Sequence, residues 1–201
     1  MNKSVLIGIC GEMGSGKTTT EMHLMRNHRF TEYSFAKPLK DIAEILGFEK
    51  QQLYGSQKDK LEINKFWGVS TRRFLQKFGT EIGCDILPRV LPDMNMGESG
   101  TVWIRLFEKK WKSMKYKGVE QKNNGLVVSD VRFENEAASI KRQGGYIIKL
   151  VRDTKKDSAE NYHSSETTIK RIKYDIEIEN NGTLDELFNQ IDDIVDKLYS
   201  I

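Results

Sequence analysis

The feature that most constrains this chain of 201 residues is the segment GEMGSGKTTT at positions 11–20. It directly follows the apolar run VLIGIC (5–10), which is typical of a parallel strand buried on both faces. The pattern Gly11-x4-Gly16-Lys17-Thr18 is that of a loop whose backbone amides, together with the N-terminus of the following helix, hold phosphate groups. A strand, this loop and a helix in this order predict an α/β fold that binds a nucleoside triphosphate.

Each residue type in the loop has a chemical part. The glycines let backbone N–H groups point at the phosphates, Lys17 reaches the β- and γ-phosphates, and the Thr18 hydroxyl ligates Mg²⁺. We therefore expect MgATP as a ligand, and an ATP-binding set that consists of Gly11, Met13, Gly14, Ser15, Gly16, Lys17, Thr18 and Thr19. Asp130, at the end of the apolar run LVVSD (126–130), is a second candidate Mg²⁺ ligand, with a helix cap as the alternative.

Apolar runs and amphipathic segments alternate along the rest of the chain. Further strands are predicted at 30–36, 126–130, 146–151 and 175–180, and helices at 18–27, 37–47, 70–87, 102–114, 132–145 and 184–199. The polar stretch 48–69 is either partly helical or a loop. This alternation predicts a single domain over 1–201 with a mainly parallel sheet, a helical substrate-binding region at about 38–125 and a lid at about 152–171.

Composition argues against several functional classes. The net charge of +3 is small and evenly spread, which does not favour nucleic-acid binding. No apolar run reaches the length of a membrane span. Cys10 and Cys84 lack the spacing of a metal or disulfide motif, and Cys10 is expected to be a small buried hydrophobe. These features predict a cytoplasmic enzyme with reduced thiols and no nucleic-acid or membrane partner.

Two arginines begin the predicted helix 70–87. In an α-helix, Arg72 would share one polar face with Gln76, Gly79, Thr80 and Gly83. The two glycines of that face would let a ligand approach closely, whereas a solvated helix face is the alternative. Arg73 is the neighbouring candidate for contact with an anionic substrate.

Two further arginines follow predicted strands. Arg132 lies two residues after Asp130, and Arg152 follows the strand 146–151 at the start of a polar segment that could close over ATP. Transfer of a phosphoryl group between two polyanions needs positive charge on both sides of the transferred group. The arginines therefore favour a small-molecule kinase, with surface arginines and a surface loop as the alternatives.

Aromatic residues offer candidates for base stacking. Trp67, Trp103, Phe107 and Trp111 could each stack on a nucleobase. Because Trp103, Phe107 and Trp111 share helical spacing, packing in the core is the favoured interpretation. Trp103 is kept as a candidate for contact with the substrate.

Several segments together resemble the deoxynucleoside monophosphate kinases of bacteriophages and large DNA viruses. In chain order they are GICGEMGSGKTT, SFAKPLKDIAEILG, STRRFLQKFGTEIG, VWIRLFEKKW, VVSDVRFENEAASIKRQGGYIIKLVR, HSSE and DIEIENNGTLDELF. The phosphate loop alone is generic, whereas the SDVRFENE, HSSE and ENNGTLDEL segments in combination are more specific. The resemblance spans nearly the whole chain and leaves out chiefly 48–69 and 112–125.

The resemblance implies ATP-dependent phosphorylation of a deoxynucleoside monophosphate on a nucleoside monophosphate kinase fold, with a five-stranded parallel sheet, a lid and a helical substrate-binding insert. It also implies roles for individual residues. Lys17, Asp130, Arg132 and Arg152 would be catalytic, and Thr18 and Asp130 would hold Mg²⁺. Asn180, Gly182 and Thr183 resemble the turn that packs on adenine in related kinases. The monophosphate side would be lined by Lys37, Arg72, Arg73, Gln76, Asp130 and Arg132, and His163 and Glu166 match the family's His-x-x-Glu. Thr80 of the polar helix face and Trp103 of the aromatic set are further candidates for contact with the substrate.

Several alternatives stay open at this point. The acceptor could instead be another small molecule, as in a kinase similar to dephospho-coenzyme A kinase, or the chain could be an ATPase or nucleotide-binding module without an acceptor. A kinase of nucleic-acid ends is disfavoured by the mild charge. The inserts at 48–69, 93–101 and 115–125 do not align with the family pattern, so the acceptor base, which they would read, stays open. A homodimer is one option for the assembly, and a viral protein would work in the host cytoplasm.

Overall fold

The computed structural model describes residues 4–98, 101–117, 124–153 and 168–200. A five-stranded sheet has the order β2-β3-β1-β4-β5, and each neighbouring pair is parallel. Its strands are β1 (Val5–Gly11), β2 (Phe30–Tyr33), β3 (Gly125–Val128), β4 (Tyr146–Val151) and β5 (Ile176–Glu179). The predicted α/β class with a five-stranded parallel sheet is confirmed.

Helices connect and flank the strands. They are α1 (Lys17–His28), α2 (Lys37–Ile45), α3 (Lys50–Tyr54), α4 (Gln57–Leu61), α5 (Thr71–Lys77), α6 (Leu87–Val90), α7 (Val102–Lys117), α8 (Glu134–Arg142) and α9 (Leu184–Ser200), with a π-helix over Phe78–Ile86. The stretch 48–69, left open by its composition, thus contains two short helices. None of the helices described is both long and apolar enough to cross a bilayer.

The chain divides into two compact units, which we call the sheet unit (Met1–Ser34 with Glu108–Ile201) and the helical unit (Phe35–Phe107). In the sheet unit, apolar residues of β1, β3 and β4 pack with one face of α9, including Ile191 and Val195. On the other side, α8 approaches β1 closely, because a Cβ on Gly8 would stand 2.7 Å from Ile140 Cδ1. These contacts bury β1 completely and fix the position of the loop that follows it.

The helical unit has a smaller core of its own. Ala43, Phe48 and Leu53 are buried, and partly buried Phe74 and Leu75 of α5 pack against them. Residues of α2 and α3 thereby form a platform for α5. This packing sets the position of the helix that begins with the two candidate arginines.

The prediction of one continuous α-helix is wrong for the second half of the segment 70–87. The segment 70–87 was expected to be a single α-helix, but only α5 is α-helical, and the chain continues as the π-helix through Ile86. Two glycines, Gly79 and Gly83, weaken the preference for α-helix in this segment. The carbonyl oxygen of Gly79 also accepts a hydrogen bond from Trp103 Nε1 at 2.7 Å. Such tertiary contacts are invisible to hydrophobic periodicity, which assumes 3.6 residues per turn.

The second strand ends earlier than predicted. A strand was expected over 30–36, but β2 ends at Tyr33 and the chain turns into α2. Pro38 lies in the first turn of α2, where its missing N–H costs no hydrogen bond, as predicted. The apolar residues Phe35 and Ala36 therefore belong to the turn before α2 and not to the sheet.

Candidate functional site

The loop between β1 and α1 has the backbone of a phosphate-binding loop. Gly11, Gly14 and Gly16 have φ angles of 152°, 81° and 103°, a region that side-chain-bearing residues rarely adopt. Ser15 is 2% exposed, and its Oγ lies 2.7 Å from the place where a Cβ on Gly11 would stand. The loop is therefore tightly wound, and the glycines are required by its geometry.

Lys17 points back into this loop. Its Nζ donates to the carbonyl oxygens of Gly11 at 2.8 Å and of Glu12 at 2.7 Å. Burial lowers the pKa of Lys17, and the positive charge of Arg132 lowers it further. The charge of Arg132, which lies far away in the sequence, thus acts on the loop lysine.

Asn180 ties the end of β5 to the loop. Its side-chain Nδ2 donates to the carbonyl oxygen of Ser15 at 3.0 Å. A Cβ on Gly16 would overlap with this amide, so the pair packs only because residue 16 is glycine. Asn180 also borders a cavity of about 410 Å³, which we call the C-terminal pocket; its lining is Glu179, Asn180, Gly182, Thr183, Glu186, Leu187, Asn189 and Gln190. The three residues of the predicted adenine turn thus all line one cavity beside the loop.

Asp130 and its neighbour Ser129 follow β3 and contact other elements of the sheet unit. Asp130 Oδ2 accepts a hydrogen bond from Ser34 Oγ at 2.6 Å. Ser129 Oγ donates to Glu21 of α1 at 2.6 Å. Burial raises the pKa of Glu21, and the charges of Glu32 and Asp130 raise it too, although the bond from Ser129 opposes them. Local sequence patterns carry no signal for Ser34 or Glu21, because each partner lies about a hundred residues away.

Glu136 holds the backbone of Arg132. It is buried, and its Oε2 accepts hydrogen bonds from the backbone N–H groups of Arg132 at 2.8 Å and Phe133 at 3.1 Å. Burial raises the pKa of Glu136 to about 8, since the opposing hydrogen bonds from these N–H groups do not offset it. A glutamate at the third position of a helix is a known capping signal, and it could have identified Glu136 from the sequence.

Two polar candidates of the helical unit bond to residues four positions away in the chain, and a third, Arg72, reaches α4. Lys37 Nζ donates to Asp41 at 2.8 Å, Thr80 Oγ1 donates to the carbonyl oxygen of Gln76 at 2.6 Å, and Arg72 Nη1 lies 3.4 Å from Gln57 Oε1. Gln76, Arg73 and Thr80 are exposed. Their proposed contacts with a substrate are not tested by these local bonds.

The predicted polar face of this helix needs a correction. Gly79 and Gly83 were expected to leave room for a ligand, but the helical unit fills both places with its own side chains. A Cβ on Gly79 would stand 2.9 Å from Leu39 Cδ2, and one on Gly83 would overlap with the indole of Trp103. Trp103 therefore packs against the π-helix. Phe107 and Trp111 are buried, as their helical spacing predicted.

The remaining candidates are distributed as follows. Arg152 is exposed directly after β4, next to Asp153, whose N–H donates to Asn181 Oδ1 at 2.8 Å. His163, Glu166 and most of the expected lid at 152–171 lie outside the described residues. Cys10 is buried in β1, and burial raises the pKa of its thiol to about 11, so it is a protonated core residue as predicted.

The loop and the carboxyl end of β3 fit MgATP chemically. Within the described chain, Ser15 Oγ is buried without a hydrogen-bond partner, and a phosphate oxygen would satisfy such a group. Thr18 is exposed in the first turn of α1, and Asp130 offers a carboxylate. Hydroxyl and carboxylate oxygens are the ligands that Mg²⁺ prefers.

Comparisons with known proteins agree on one family. A family model described as deoxynucleotide monophosphate kinase matches residues 43–191. A protein named as a deoxynucleotide monophosphate kinase from Acanthamoeba polyphaga mimivirus is 38% identical over 197 residues, which are 96% of this chain and 96% of that protein. A deoxynucleotide monophosphate kinase from Escherichia phage RB69 is 26% identical over 133 residues, which are 66% of this chain and 47% of that protein.

A comparison of folds gives the same architecture. A solved structure described as a kinase from Chloroflexus aurantiacus has a TM-score of 0.50 at 11% identity, with 98% of each chain covered. At this identity the likeness supports the fold alone.

Proposed function

The chain belongs to the deoxynucleotide monophosphate kinase family, and we propose that it transfers the γ-phosphoryl group of MgATP to a deoxynucleoside monophosphate. The products are ADP and a deoxynucleoside diphosphate. The observation that carries this proposal is the phosphate loop with Lys17 inside it, whose pKa the positive charge of Arg132 helps to lower. One cation suffices to hold a triphosphate, whereas a second one nearby suits a group in transfer.

On the donor side, we propose that the loop binds the triphosphate and that the C-terminal pocket receives adenine. Gly11, Met13, Gly14, Ser15 and Gly16 supply backbone amides, and Lys17, Thr18 and Thr19 begin the helix that points at the phosphates. Asn180, Gly182 and Thr183 line the pocket for the base. The support for this assignment is the bond from Asn180 to Ser15, which joins pocket and loop.

The reaction itself needs little from a base. An oxygen of the acceptor's α-phosphate attacks the γ-phosphorus, a new P–O bond forms, and the bond to the β,γ-bridging oxygen of ATP breaks. The attacking oxygen is already anionic, so no proton must be removed from it. Lys17, Arg132 and Arg152 offset the charge that develops on the transferred group. Thr18 and Asp130 would hold Mg²⁺, which would supply further positive charge at the phosphates.

On the acceptor side, we propose that Lys37, Arg72 and Arg73 bind the monophosphate, and that Gln76, Thr80, Trp103, His163 and Glu166 contact the rest of the nucleotide. Cationic side chains of the helical unit suit a dianionic phosphate. Asp130 and Arg132 would contact both substrates during transfer. Since Trp103 is already bonded to the π-helix, it would offer only the part of its ring that stays accessible.

A panel of acceptors tests the proposal. ADP release is measured in a coupled assay with dTMP, dGMP, dCMP, dAMP, the matching ribonucleotides, dephospho-coenzyme A and no acceptor. We expect release that depends on at least one deoxynucleoside monophosphate, with the diphosphate detected as product. Release that is equally fast without acceptor would indicate an ATPase, and release with dephospho-coenzyme A alone would indicate a different kinase.

A further inference from the structure

Three potential metal ligands meet where α1 faces α9. His23 and His28 of α1 direct their Nε2 atoms at Asp192 of α9, and both contact the same oxygen, Oδ1, at 2.6 Å and 2.5 Å. One ligand atom of each side chain lies within 4.8 Å of those of the other two. The side chain of His23 is 4% exposed, that of His28 17% and that of Asp192 43%. The cluster is therefore mostly shielded but open to solvent on the Asp192 side.

The ring of His23 is oriented by its surroundings. Its Nδ1 lies 3.0 Å from Asn27 Nδ2, and its face stacks on Phe188 with ring centroids 4.1 Å apart. The Asn27 amide can pair with either neutral tautomer of His23. Its NH₂ group donates to an unprotonated Nδ1, and after a 180° flip of the amide its oxygen accepts from a protonated Nδ1. In the second state the Nε2 lone pair is directed at the cluster. Such a partner behind the ligand is typical of metal-binding histidines.

We propose that His23, His28 and Asp192 bind a divalent transition-metal ion of the zinc type, separate from the Mg²⁺ of the proposed reaction. Two imidazole nitrogens and one carboxylate are a zinc ligand set with one position left for water, whereas Mg²⁺ favours oxygen ligands. Tetrahedral ligands of zinc stand about 3.3 Å apart, given bonds of roughly 2.0 Å. The nitrogen–oxygen distances must therefore widen by about 0.7 Å on binding. The partly exposed Asp192 side chain can make this movement by rotating.

The bound ion would join two helices that both begin at the nucleotide site. The first residue of α1 is Lys17, and the first turns of α9 contribute Glu186, Leu187 and Gln190 to the C-terminal pocket. An ion held by both helices favours the folded chain over the unfolded one by mass action. We therefore expect zinc to raise the melting temperature of the nucleotide-free protein.

Calorimetric titration of the metal-free full chain with ZnCl₂, without nucleotide, tests the site. Asp192→Asn and His28→Gln each remove one ligand, and Asp193→Asn is the matched control, because Asp193 is the adjacent exposed carboxylate. We expect one equivalent of zinc bound by the wild type and by Asp193→Asn, and affinity at least about tenfold weaker in both ligand variants. Melting curves in the presence of a chelator show whether each variant folds.

Two further readouts separate the site from nonspecific binding. Zinc should raise the melting temperature of the wild type and of Asp193→Asn, whereas the same concentration of MgCl₂ should not. Absence of one-to-one zinc binding in the wild type overturns the proposal. The proposal is also overturned if Asp192→Asn and His28→Gln both bind zinc as tightly as Asp193→Asn does. Because no outcome depends on catalysis, failure here leaves the kinase assignment untouched, and the reverse also holds.

Discussion

The sheet unit and the helical unit hold their candidate residues in different ways. In the sheet unit, the bond from Asn180 to Ser15 spans 165 residues, and the bond from Ser34 to Asp130 spans 96. In the helical unit, Lys37 bonds to Asp41 and Thr80 to Gln76, each four residues away. Asn180 and Asp130, proposed for the donor side, are thus held by partners far away in the sequence, whereas Lys37 and Thr80, proposed for the acceptor side, bond to partners four residues away.

This difference has an energetic meaning. A side chain fixed by distant partners loses its freedom when the chain folds, so less entropy remains to be lost when a ligand binds. An exposed side chain bonded within its own helix keeps more of that freedom. We therefore expect the sheet unit to be preorganised for the triphosphate, and the helical unit to order its polar side chains as the acceptor binds.

The largest effect is expected for Lys17→Ala. This change removes the cation inside the loop, and we expect kcat to fall by about 10³-fold or more, since the charge on the transferred group loses its main partner. Coupled ADP release measures the rate, and the control is Lys197→Ala, an exposed lysine of α9. A variant that keeps its fold and full turnover would remove Lys17 from the catalytic set.

Arg152→Ala should have the next largest effect. If Arg152 contacts the group mainly in the transition state, kcat falls by about 10²-fold while the KM for ATP changes little. The measurement is steady-state kinetics with ATP varied at saturating acceptor. An unchanged kcat would place Arg152 outside the catalytic residues.

Arg72→Ala tests the helical unit directly. Loss of a charged hydrogen bond of about 1.5–3 kcal/mol should raise the KM for the acceptor by about tenfold or more. The KM for ATP should stay within about twofold, because a phosphate contact of the acceptor is lost and none of the donor. Lys40→Ala, also in the helical unit, serves as the charge-matched control. Equal increases in both KM values would contradict the division between the units.

Asn180→Ala probes the long-range tie in the sheet unit. A neutral hydrogen bond contributes about 0.5–1.5 kcal/mol, so the KM for ATP should rise by roughly two- to tenfold with the acceptor KM unchanged. The neighbouring Asn181→Ala, which removes the bonds to Asp153, is the control. An effect of the same size in Asn181→Ala would show that the loop does not depend on Asn180.

The smallest effects are expected for the carboxylates of two helix caps, whose contributions to stability change with pH in opposite directions. The folded-state pKa of Glu136 is raised by burial to about 8 from 4.5, so its contribution to stability is present at low pH and is lost as the pH rises between these values. In the helical unit, the bond from Ser56 lowers the pKa of Asp59, so its contribution is lost as the pH falls. Between about pH 5 and about pH 9, the free energy of unfolding of the wild type should fall by at least about 1 kcal/mol relative to that of Glu136→Gln.

Urea unfolding at these two pH values measures the Glu136 cap, and a pH series that extends below the ordinary range of an aspartate measures the Asp59 cap. Asp59→Asn should be less stable than the wild type above the ordinary range of an aspartate, and this difference should shrink as the pH falls below that range, because Asp59 then loses its charge. Parallel stability curves for the wild type and Glu136→Gln would show that Glu136 does not carry a raised pKa.

The parts of the molecule that could be predicted from the sequence are those formed by interactions between residues close together in the chain. The phosphate loop and the five strands were predictable, because glycine spacing and apolar runs act over a few residues. The π-helix was not, because its contacts include Trp103, which lies 24 residues beyond its partner Gly79 and which periodicity cannot register. The roles of Ser34 and Glu21 were hidden for the same reason, whereas Glu136 carried a local capping signal.

The position of β1 in the sheet has a consequence for how the protein fluctuates. β1 pairs with β3 on one side and β4 on the other, while β2 and β5 form the edges. Amide hydrogens at sheet edges exchange with solvent through small local openings, but those of a central buried strand exchange chiefly when the whole unit opens. The phosphate loop therefore follows the strand whose backbone opens least often. Local opening of the edge strands β2 and β5 leaves the position of the loop unchanged.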